Sequence, residues 1–376
     1  MKWRSEEVRI ASLGAGVVAV AAASHEDRPR WFAVTRDGDV LGVDLDDGST
    51  FFRAMLPFSI DIAGGVTITA SPNGRYLAVV QTNGVRGALY DLHTQKLPKT
   101  LERGDYHPEV SAWAIALDDE RLFLATDWNR LEVWSLPTCD RIRPSETATK
   151  YDYFYGHAQL SPSKRWLASF GWHWHPIGAL HFVDVEAWLA NGEGEDGRPP
   201  FAENVLAAEW WDASVCFLDD HRVALIGDAD PEEGGVLELQ QGLVIYDFTL
   251  GKKLAYFPGL LAHELAFDGD RLILLGETTR AVSPHDGSVL AELGVKATAW
   301  HPGTRTVISL EPFAQHWLTY TLDLELELPR GTSPAERSVL ADSLEERGAD
   351  ARAIAHLREG TPHGRRCWVT EALWRK

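Results

Sequence analysis

The segment Phe170–Pro176 places two histidines and two tryptophans in alternation, which is the densest concentration of potential chemistry in the chain. On a β-strand, successive side chains point to opposite faces, so His173 and His175 share one face and Trp172 and Trp174 share the other. Two imidazoles at this spacing can share a zinc or iron ion if a third ligand comes from elsewhere. The interpretation we favour is an aromatic, histidine-rich loop that packs or meets a partner protein.

A second aromatic pair, Trp210 and Trp211, stands beside Glu209 and Asp212 near the end of a long insertion at residues 186–213. Tryptophans dominate interface energies when they fill a pocket on the partner, so this pair is a candidate anchor for another protein. Stacking against a sugar ring and simple packing are the alternative interpretations.

Motifs of catalysis are missing from the sequence. It contains no GxSxG elbow, no GxxxxGK[ST] phosphate-binding loop and no HExxH zinc motif. We therefore predict a binding protein rather than an enzyme, and we assign no catalytic residue, metal or cofactor. A metal-dependent hydrolase or lyase at His173 and His175 stays as the alternative, because an active site in a repeat protein is assembled from several units.

The elements that must position these residues recur along the chain. A short turn cluster ending in arginine precedes an apolar, β-rich run, as in Ser71–Arg75 before Tyr76–Val80 and Asp268–Arg271 before Leu272–Leu275. The other clusters end at Arg121, Arg165, Arg222 and Arg305. A supersecondary unit repeated at this interval indicates a propeller or a solenoid, and short four-stranded units favour the propeller.

Seven such units fill the chain to about residue 330. We therefore predict an all-β, seven-bladed β-propeller over residues 1–330. A strand near Val8–Ala11 is expected to complete the last blade, which closes the ring and removes exposed sheet edges. The insertion at residues 186–213 falls between the fourth and fifth units.

The units resemble WD-repeat β-propellers over roughly residues 8–330. Gly156-His157 matches the Gly-His pair that opens a unit in that family. The pairs that approximate the closing Trp-Asp are Tyr90-Asp91, Trp134-Ser135, Val183-Asp184 and Tyr246-Asp247. The resemblance implies a propeller fold and, by analogy, a role as an interaction scaffold.

The apolar spacing becomes helical from Ser333. The sequence Ser333-Pro334-Ala335-Glu336 is a capping box with proline at the first helical position. Residues 331–376 are therefore predicted to form a small α-helical C-terminal appendage. Leu340–Gly348, followed by Asp350–Ala353, resembles the repeat-companion domain, a small bacterial domain appended to repeat proteins, and this resemblance implies a bacterial origin.

The formal net charge of −19 at pH 7 argues against nucleic acid and anionic membranes as partners, because both select basic surfaces. The three cysteines are too widely spaced for a disulfide framework or a CxxC metal knuckle. Leu13–Ala23 is apolar, but Glu6 and Glu7 precede it and two glycines interrupt it, so we expect a strand of the first blade rather than a signal peptide.

These features together predict an acidic, cytoplasmic, non-catalytic scaffold that binds another protein, as a subunit or adaptor of a bacterial multi-protein system. The predicted contact residues are Trp172, His173, Trp174, His175, Trp210 and Trp211. A carbohydrate-binding propeller is the further alternative.

Overall fold

The computed structural model of the protein describes residues 2–9, 16–25, 28–104, 113–143, 152–173, 177–193, 199–202, 206–208, 214–228, 241–309 and 316–323. These residues form seven antiparallel sheets, and a single short helix accompanies them. The prediction of an all-β, seven-bladed propeller is confirmed. The predicted helical appendage at residues 331–376 lies outside the described residues.

Each blade is a meander of short strands, numbered here along the chain. The first strand, β1 (Lys2–Arg9), belongs to the last blade. Blade 1 holds β2 (Val17–His25), β3 (Arg28–Thr35), β4 (Asp39–Val43) and β5 (Thr50–Met55). Blade 2 holds β6 (Val66–Ala70), β7 (Tyr76–Gln81), β8 (Arg86–Asp91) and β9 (Lys96–Glu102). Blade 3 holds β10 (Ile115–Leu117), β11 (Arg121–Asp127), β12 (Arg130–Ser135) and β13 (Arg141–Arg143).

Blade 4 has five strands and the helix. Its strands are β14 (Tyr153–Phe154), β15 (Ala158–Leu160), β16 (Trp166–His173), β17 (Ile177–Asp184) and β18 (Leu206–Ala208), and α1 (Val185–Asn191) follows β17. Blade 5 holds β19 (Val215–Phe217), β20 (Arg222–Asp228), β21 (Gln241–Asp247) and β22 (Lys252–Pro258). Blade 6 holds β23 (Glu264–Phe267), β24 (Leu272–Leu275), β25 (Thr279–Val282) and β26 (Val289–Leu293). Blade 7 holds β27 (Ala299–His301), β28 (Thr306–Ser309) and β29 (His316–Asp323).

The N-terminal strand closes the ring. β1 pairs with β29 from Lys2 opposite Asp323 to Arg9 opposite His316, and so becomes the outermost strand of blade 7. It therefore begins earlier in the chain than the Val8–Ala11 segment that the apolar pattern indicated. Joining the two ends of the propeller in one sheet leaves no blade open at the seam.

The alternating strand directions give the propeller two distinct ends. The turns that join first to second strands and third to fourth strands, such as residues 71–75 and 92–95, lie at what we call the turn end. The hairpins between second and third strands and the connections between blades, such as residues 82–85 and 56–65, lie at the loop end. The long connections between blades therefore all emerge at the loop end.

The arginine that ends the turn cluster has a structural role at the turn end of blades 2 to 6. In blades 3, 5 and 6 its guanidinium binds the aspartate that opens the same turn: Arg121–Asp118 at 2.6 Å, Arg222–Asp219 at 2.6 Å and Arg271–Asp268 at 2.9 Å. In blades 2 and 4 serine opens the turn, and the arginine instead binds the aspartate that ends the third strand: Arg75–Asp91 at 3.4 Å and Arg165–Asp184 at 3.1 Å. The most visible pattern in the sequence is thus explained by turn formation.

Blade 4 differs from the others in two ways. Its first strand is split, because Tyr155–His157 bulge out between β14 and β15 and both short strands pair with β16. The insertion lies within this blade rather than between units four and five, since β18 pairs with β17 as the outermost strand. Asp184 caps the helix that opens the insertion by accepting the backbone N–H of Ala187.

The apolar core lies between neighbouring blades. At the contact of blades 4 and 5, the rings of Phe182 and Phe248 stack with centroids 4.0 Å apart, and both side chains are fully buried. Each such ring stabilises the fold by about 2 kcal/mol through removal of apolar surface from water. Within the described part of the chain, no helix is long and apolar enough to cross a bilayer.

Candidate functional site

Two of the six predicted contact residues are described by the structure, and they lie side by side at the loop end. Trp172 and His173 are the last residues of β16, and their side chains point to opposite faces of blade 4. Both are half-buried. The remaining four, Trp174, His175, Trp210 and Trp211, lie outside the described residues.

His173 forms a hydrogen-bonded pair with His181 of the neighbouring strand. The two Nε2 atoms are 3.3 Å apart, and Nδ1 of His173 lies 2.8 Å from the carbonyl oxygen of Asp152. A carbonyl oxygen can only accept, so Nδ1 of His173 carries the proton. In the neutral ring, Nε2 then accepts the Nε2–H of His181, and both nitrogens of His173 are engaged within the protein.

Aromatic rings enclose this histidine pair. Tyr153 stacks on His181 with ring centroids 4.0 Å apart, and Phe201 stacks on the same imidazole at 5.5 Å. The Tyr153 hydroxyl lies 2.7 Å from the carbonyl oxygen of Ser169 and 3.0 Å from that of Ala179, which anchors the ring to the middle of the sheet. His181 is consequently buried, with 3% of its surface exposed.

This packing occupies both ring nitrogens of His173 within the described structure. A metal ion at His173 would have to replace one of the two hydrogen bonds that its ring already forms. Among the described residues, no group of three or more His, Cys, Asp or Glu side chains is placed to hold a metal ion. The arrangement of His173 and His181 is therefore that of a packed, hydrogen-bonded aromatic cluster.

Trp172 belongs to a run of three aromatic rings on the other face of the blade. Its indole stacks on Phe154 with centroids 3.9 Å apart and an interplanar angle of 10°. Trp128, from the hairpin of blade 3 at the loop end, lies 4.5 Å from the same phenylalanine. Phe154 is buried while both tryptophans are half-buried, so two indoles from adjacent blades reach the surface over one shared ring.

Sequence reasoning missed a carboxyl group on the wall of the central channel. Glu264 opens β23, the innermost strand of blade 6, and the innermost strands of a propeller line its channel. Solvent reaches the side chain, but surrounding protein removes much of its hydration, and this desolvation raises the pKa of Glu264 to about 7. A carboxyl group that titrates near neutrality can donate or accept a proton under cellular conditions.

Three neighbouring groups on the innermost strands or just before them have shifted pKa values for the same reason. Loss of hydration lowers the pKa of His157, at the bulge of blade 4, and that of His263, where the nearby Lys296 lowers it further. Burial raises the pKa of the Cys216 thiol to about 12, with a smaller contribution from the charge of Glu264. No local sequence motif marks these residues, because they lie on or beside the innermost strands of different blades.

Comparison with protein-family models finds no match, and comparison with curated proteins also finds none. Among solved structures, the chain is similar to hydrazine synthase of Kuenenia stuttgartiensis, with a TM-score of 0.59 and 12% sequence identity. The similarity covers 81% of this chain and 96% of that one. At this identity the likeness shows the fold alone.

Proposed function

We propose that this propeller is a non-catalytic scaffold that holds another protein on its loop end. The supporting observation is the run of three aromatic rings, Trp128, Phe154 and Trp172, which presents two half-buried indoles from adjacent blades on a buried ring. Rigid aromatic side chains of this kind provide large contact area with little loss of conformational entropy and are typical interface anchors. The contact surface would continue to Trp174, His175, Trp210 and Trp211.

The contrast between the two ends supports this choice of surface. At the turn end, the repeated aspartates and arginines bind one another and the turn backbone, so their hydrogen-bonding groups are already occupied. At the loop end, the connections between blades differ in length from blade to blade, whereas the turn end carries short turns apart from residues 185–205 of blade 4. Long connections in repeat proteins are where binding residues concentrate.

The test is affinity capture of the tagged, full-length protein from its native cells, read by mass spectrometry. The variants are Trp172→Ala and the double variant Trp210→Ala/Trp211→Ala. The control is Leu250→Ala, which removes a side chain that is 70% exposed at the turn end. Thermal melting of each variant shows whether it is folded.

We expect one protein to be captured in stoichiometric amount by the wild type and by the Leu250 variant, and to be lost with either tryptophan variant. Retention of that protein by both folded tryptophan variants would refute the assignment of the loop end. A wild-type eluate without a stoichiometric partner would refute the scaffold itself.

The same preparation tests the two alternatives. Elemental analysis after mild purification detects the stoichiometric metal that a hydrolase or lyase at His173 and His175 requires. Binding on a glycan array detects a carbohydrate-binding propeller, in which Trp172 would stack on a sugar ring.

Three narrower proposals from the sequence accompany this function. The propeller would belong to the WD-repeat proteins, residues 331–376 would form a helical tail related to the repeat-companion domain, and the protein would act in the bacterial cytoplasm. The tail proposal is checked by the far-ultraviolet circular dichroism lost on deletion of residues 331–376, since the described propeller contributes only the short helix α1 to the helical signal.

A further inference from the structure

A groove of about 490 Å³ lies between blades 2 and 3. One wall is Lys99–Gly104, the end of β9 and the two residues after it. The other wall is formed by side chains of the second, third and fourth strands of blade 3: Leu124, Thr126, Arg130, Glu132, Trp134 and Arg141. Arg130 begins β12 and Gly104 follows β9, so the groove opens toward the loop end.

The groove is basic in a strongly acidic protein. Four cations, Lys99, Arg103, Arg130 and Arg141, line it together with two carboxylates, whereas the chain as a whole carries a formal charge of −19. The field of the whole protein repels anions, so a local excess of positive charge in a concave site stands out as a binding feature.

Trp134 organises two of the cations. The Lys99 ammonium lies 3.9 Å from the centroid of the indole, and the Arg141 guanidinium lies 4.8 Å from it. Cation–π contact of this kind holds long basic side chains in place and reduces the entropy lost when they bind a ligand. The groove is therefore partly organised before anything enters it.

The carboxylate at the base of the groove neutralises only one of the cations. Glu132 is fully buried, with its Oε2 accepting the indole N–H of Trp134 at 3.2 Å and its Oε1 lying 3.3 Å from Nη1 of Arg141. Among the described residues, neither Lys99 nor Arg130 forms an ion pair. Arg130 Nε and Thr126 Oγ1 are also buried without a hydrogen-bond partner in the described structure.

The remaining basic residue, Arg103, is fixed by the protein. Its Nε donates to the carbonyl oxygen of Gly84 at 2.8 Å, and its guanidinium lies 5.0 Å from the ring centroid of Trp113. Burial lowers the pKa of Arg103 to about 10, so it remains charged at neutral pH and adds to the field in the groove.

The wall formed by β9 favours an extended ligand. β9 pairs only with β8 in the described sheet of blade 2, so its outer edge has no strand beside it. Peptides add to such edges through backbone hydrogen bonds, and their alternate side chains then point to the same side about 7 Å apart. Carboxylates at alternate positions would face the cations of blade 3.

We propose that this groove binds an extended acidic segment of a protein, with its backbone along β9 and its carboxylates on Lys99 and Arg130. The inference deepens the proposed scaffold function, because the segment would belong to the captured partner. The observation behind this proposal is that the open edge of β9 lies beside two cations, Lys99 and Arg130, that form no ion pair within the described part of the chain, on a protein that is otherwise acidic.

The test uses the full-length protein and a synthetic probe, so it does not depend on partner capture. Fluorescence anisotropy measures binding of labelled, end-capped hexaglutamate, with hexaglutamine as the neutral control. The test variant is Lys99→Gln/Arg130→Gln, which leaves the Glu132–Arg141 pair intact. The matched control, Lys252→Gln/Lys253→Gln on β22, removes the same charge on blade 5.

We expect saturable binding of hexaglutamate, no binding of hexaglutamine, and about tenfold weaker binding by the Lys99/Arg130 variant, since bonds to charged groups are lost. The Lys252/Lys253 variant should bind within twofold of the wild type. Affinity should also rise from diglutamate to hexaglutamate, a comparison made on the wild-type protein alone.

Equal binding by the two double variants would overturn the proposal. The proposal would also be overturned if the affinity did not grow with peptide length and pyrophosphate fully displaced the peptide. Those two results together would identify a site for small oxyanions. Loss of partner capture by the tryptophan variants with unchanged hexaglutamate binding would show that the two surfaces act independently, and would leave both proposals standing.

Discussion

The most quantitative expectation concerns Glu264, the channel carboxyl with a pKa raised from its ordinary value of 4.5 to about 7. Desolvation disfavours its charged form, so the folded state holds the proton to higher pH than the unfolded state does. Below pH 4.5 Glu264 therefore has no effect on the free energy of unfolding. This free energy falls as the pH rises from 4.5 toward 7, and above pH 7 it is lower by the whole cost of the buried charge. Glu264→Gln removes the charge and with it this penalty.

The magnitude follows from the size of the pKa change. A rise from 4.5 to about 7 corresponds to about 3 kcal/mol for a fully dry carboxylate. Solvent reaches the Glu264 side chain and screens its charge, so we expect about 1–2 kcal/mol. At pH 8 the glutamine variant should be more stable than the wild type by this amount, and at pH 4.5 the two should be equal.

Urea unfolding of both proteins at pH 4.5, 6 and 8 measures this difference. Desolvation lowers the pKa of His157, His263 and His301, which makes the fold less stable as the pH falls through 6.5, a trend opposite to that from Glu264. These histidines are present in both proteins, so their contribution cancels in the difference. A stability difference that does not change with pH, or a glutamine variant that is less stable at pH 8, would refute the reasoning.

Three further predictions test the fold. A Cβ at Gly171 would lie 1.9 Å from a backbone oxygen, so Gly171→Ala should lower the free energy of unfolding by about 3 kcal/mol. A Cβ at Gly294 would have nothing within 4 Å, so Gly294→Ala should change that free energy by less than about 0.5 kcal/mol. Urea unfolding measures both values. Asp268 and Asp219 form equivalent ion pairs in their turns, but the Asp268 side chain is 1% exposed and that of Asp219 is 37% exposed. Asp268→Ala should therefore lower the free energy of unfolding by about 3 kcal/mol more than Asp219→Ala, again measured by urea unfolding. Because burial raises the pKa of Cys216 to about 12, iodoacetamide at pH 8 should modify that thiol only after denaturation, as read by mass spectrometry.

The propeller could be predicted from the sequence because its signals are local. The run Tyr76–Val80 became β7 (Tyr76–Gln81), and Leu272–Leu275 became β24 with the same bounds. In blades 2 to 6 the second strand follows a turn whose aspartate or serine lies only three or four residues before its arginine, so the turn and the strand it starts can be recognised in one short stretch of sequence. The assignment of the 186–213 insertion was wrong because β18 is short and is defined by its pairing with β17, more than twenty residues earlier.

The groove and the channel groups could not be predicted, because they are assembled from distant parts of the chain. Arg141 reaches Trp134 through the pairing of β12 with β13, but Lys99 lies more than thirty residues earlier, and only the packing of blade 2 against blade 3 brings it to the same indole. In the sequence, Trp134 appeared only as part of a repeat-closing pair. Glu264 is one of many acidic residues, and the desolvation at its position on an innermost strand is what raises its pKa.

The two proposed contact surfaces should respond differently to salt, and this follows from their chemistry. The Trp128–Phe154–Trp172 stack would bind by removing apolar surface from water, which ionic strength affects little. The groove would bind by charge, and half-exposed ion pairs are screened at separations beyond about 8 Å at physiological salt. A partner held by both surfaces should therefore dissociate in two stages as salt is raised: its acidic segment releases the groove first, and the aromatic contact persists. Capture that is lost in one step at moderate salt would place most of the binding energy on Lys99 and Arg130 instead.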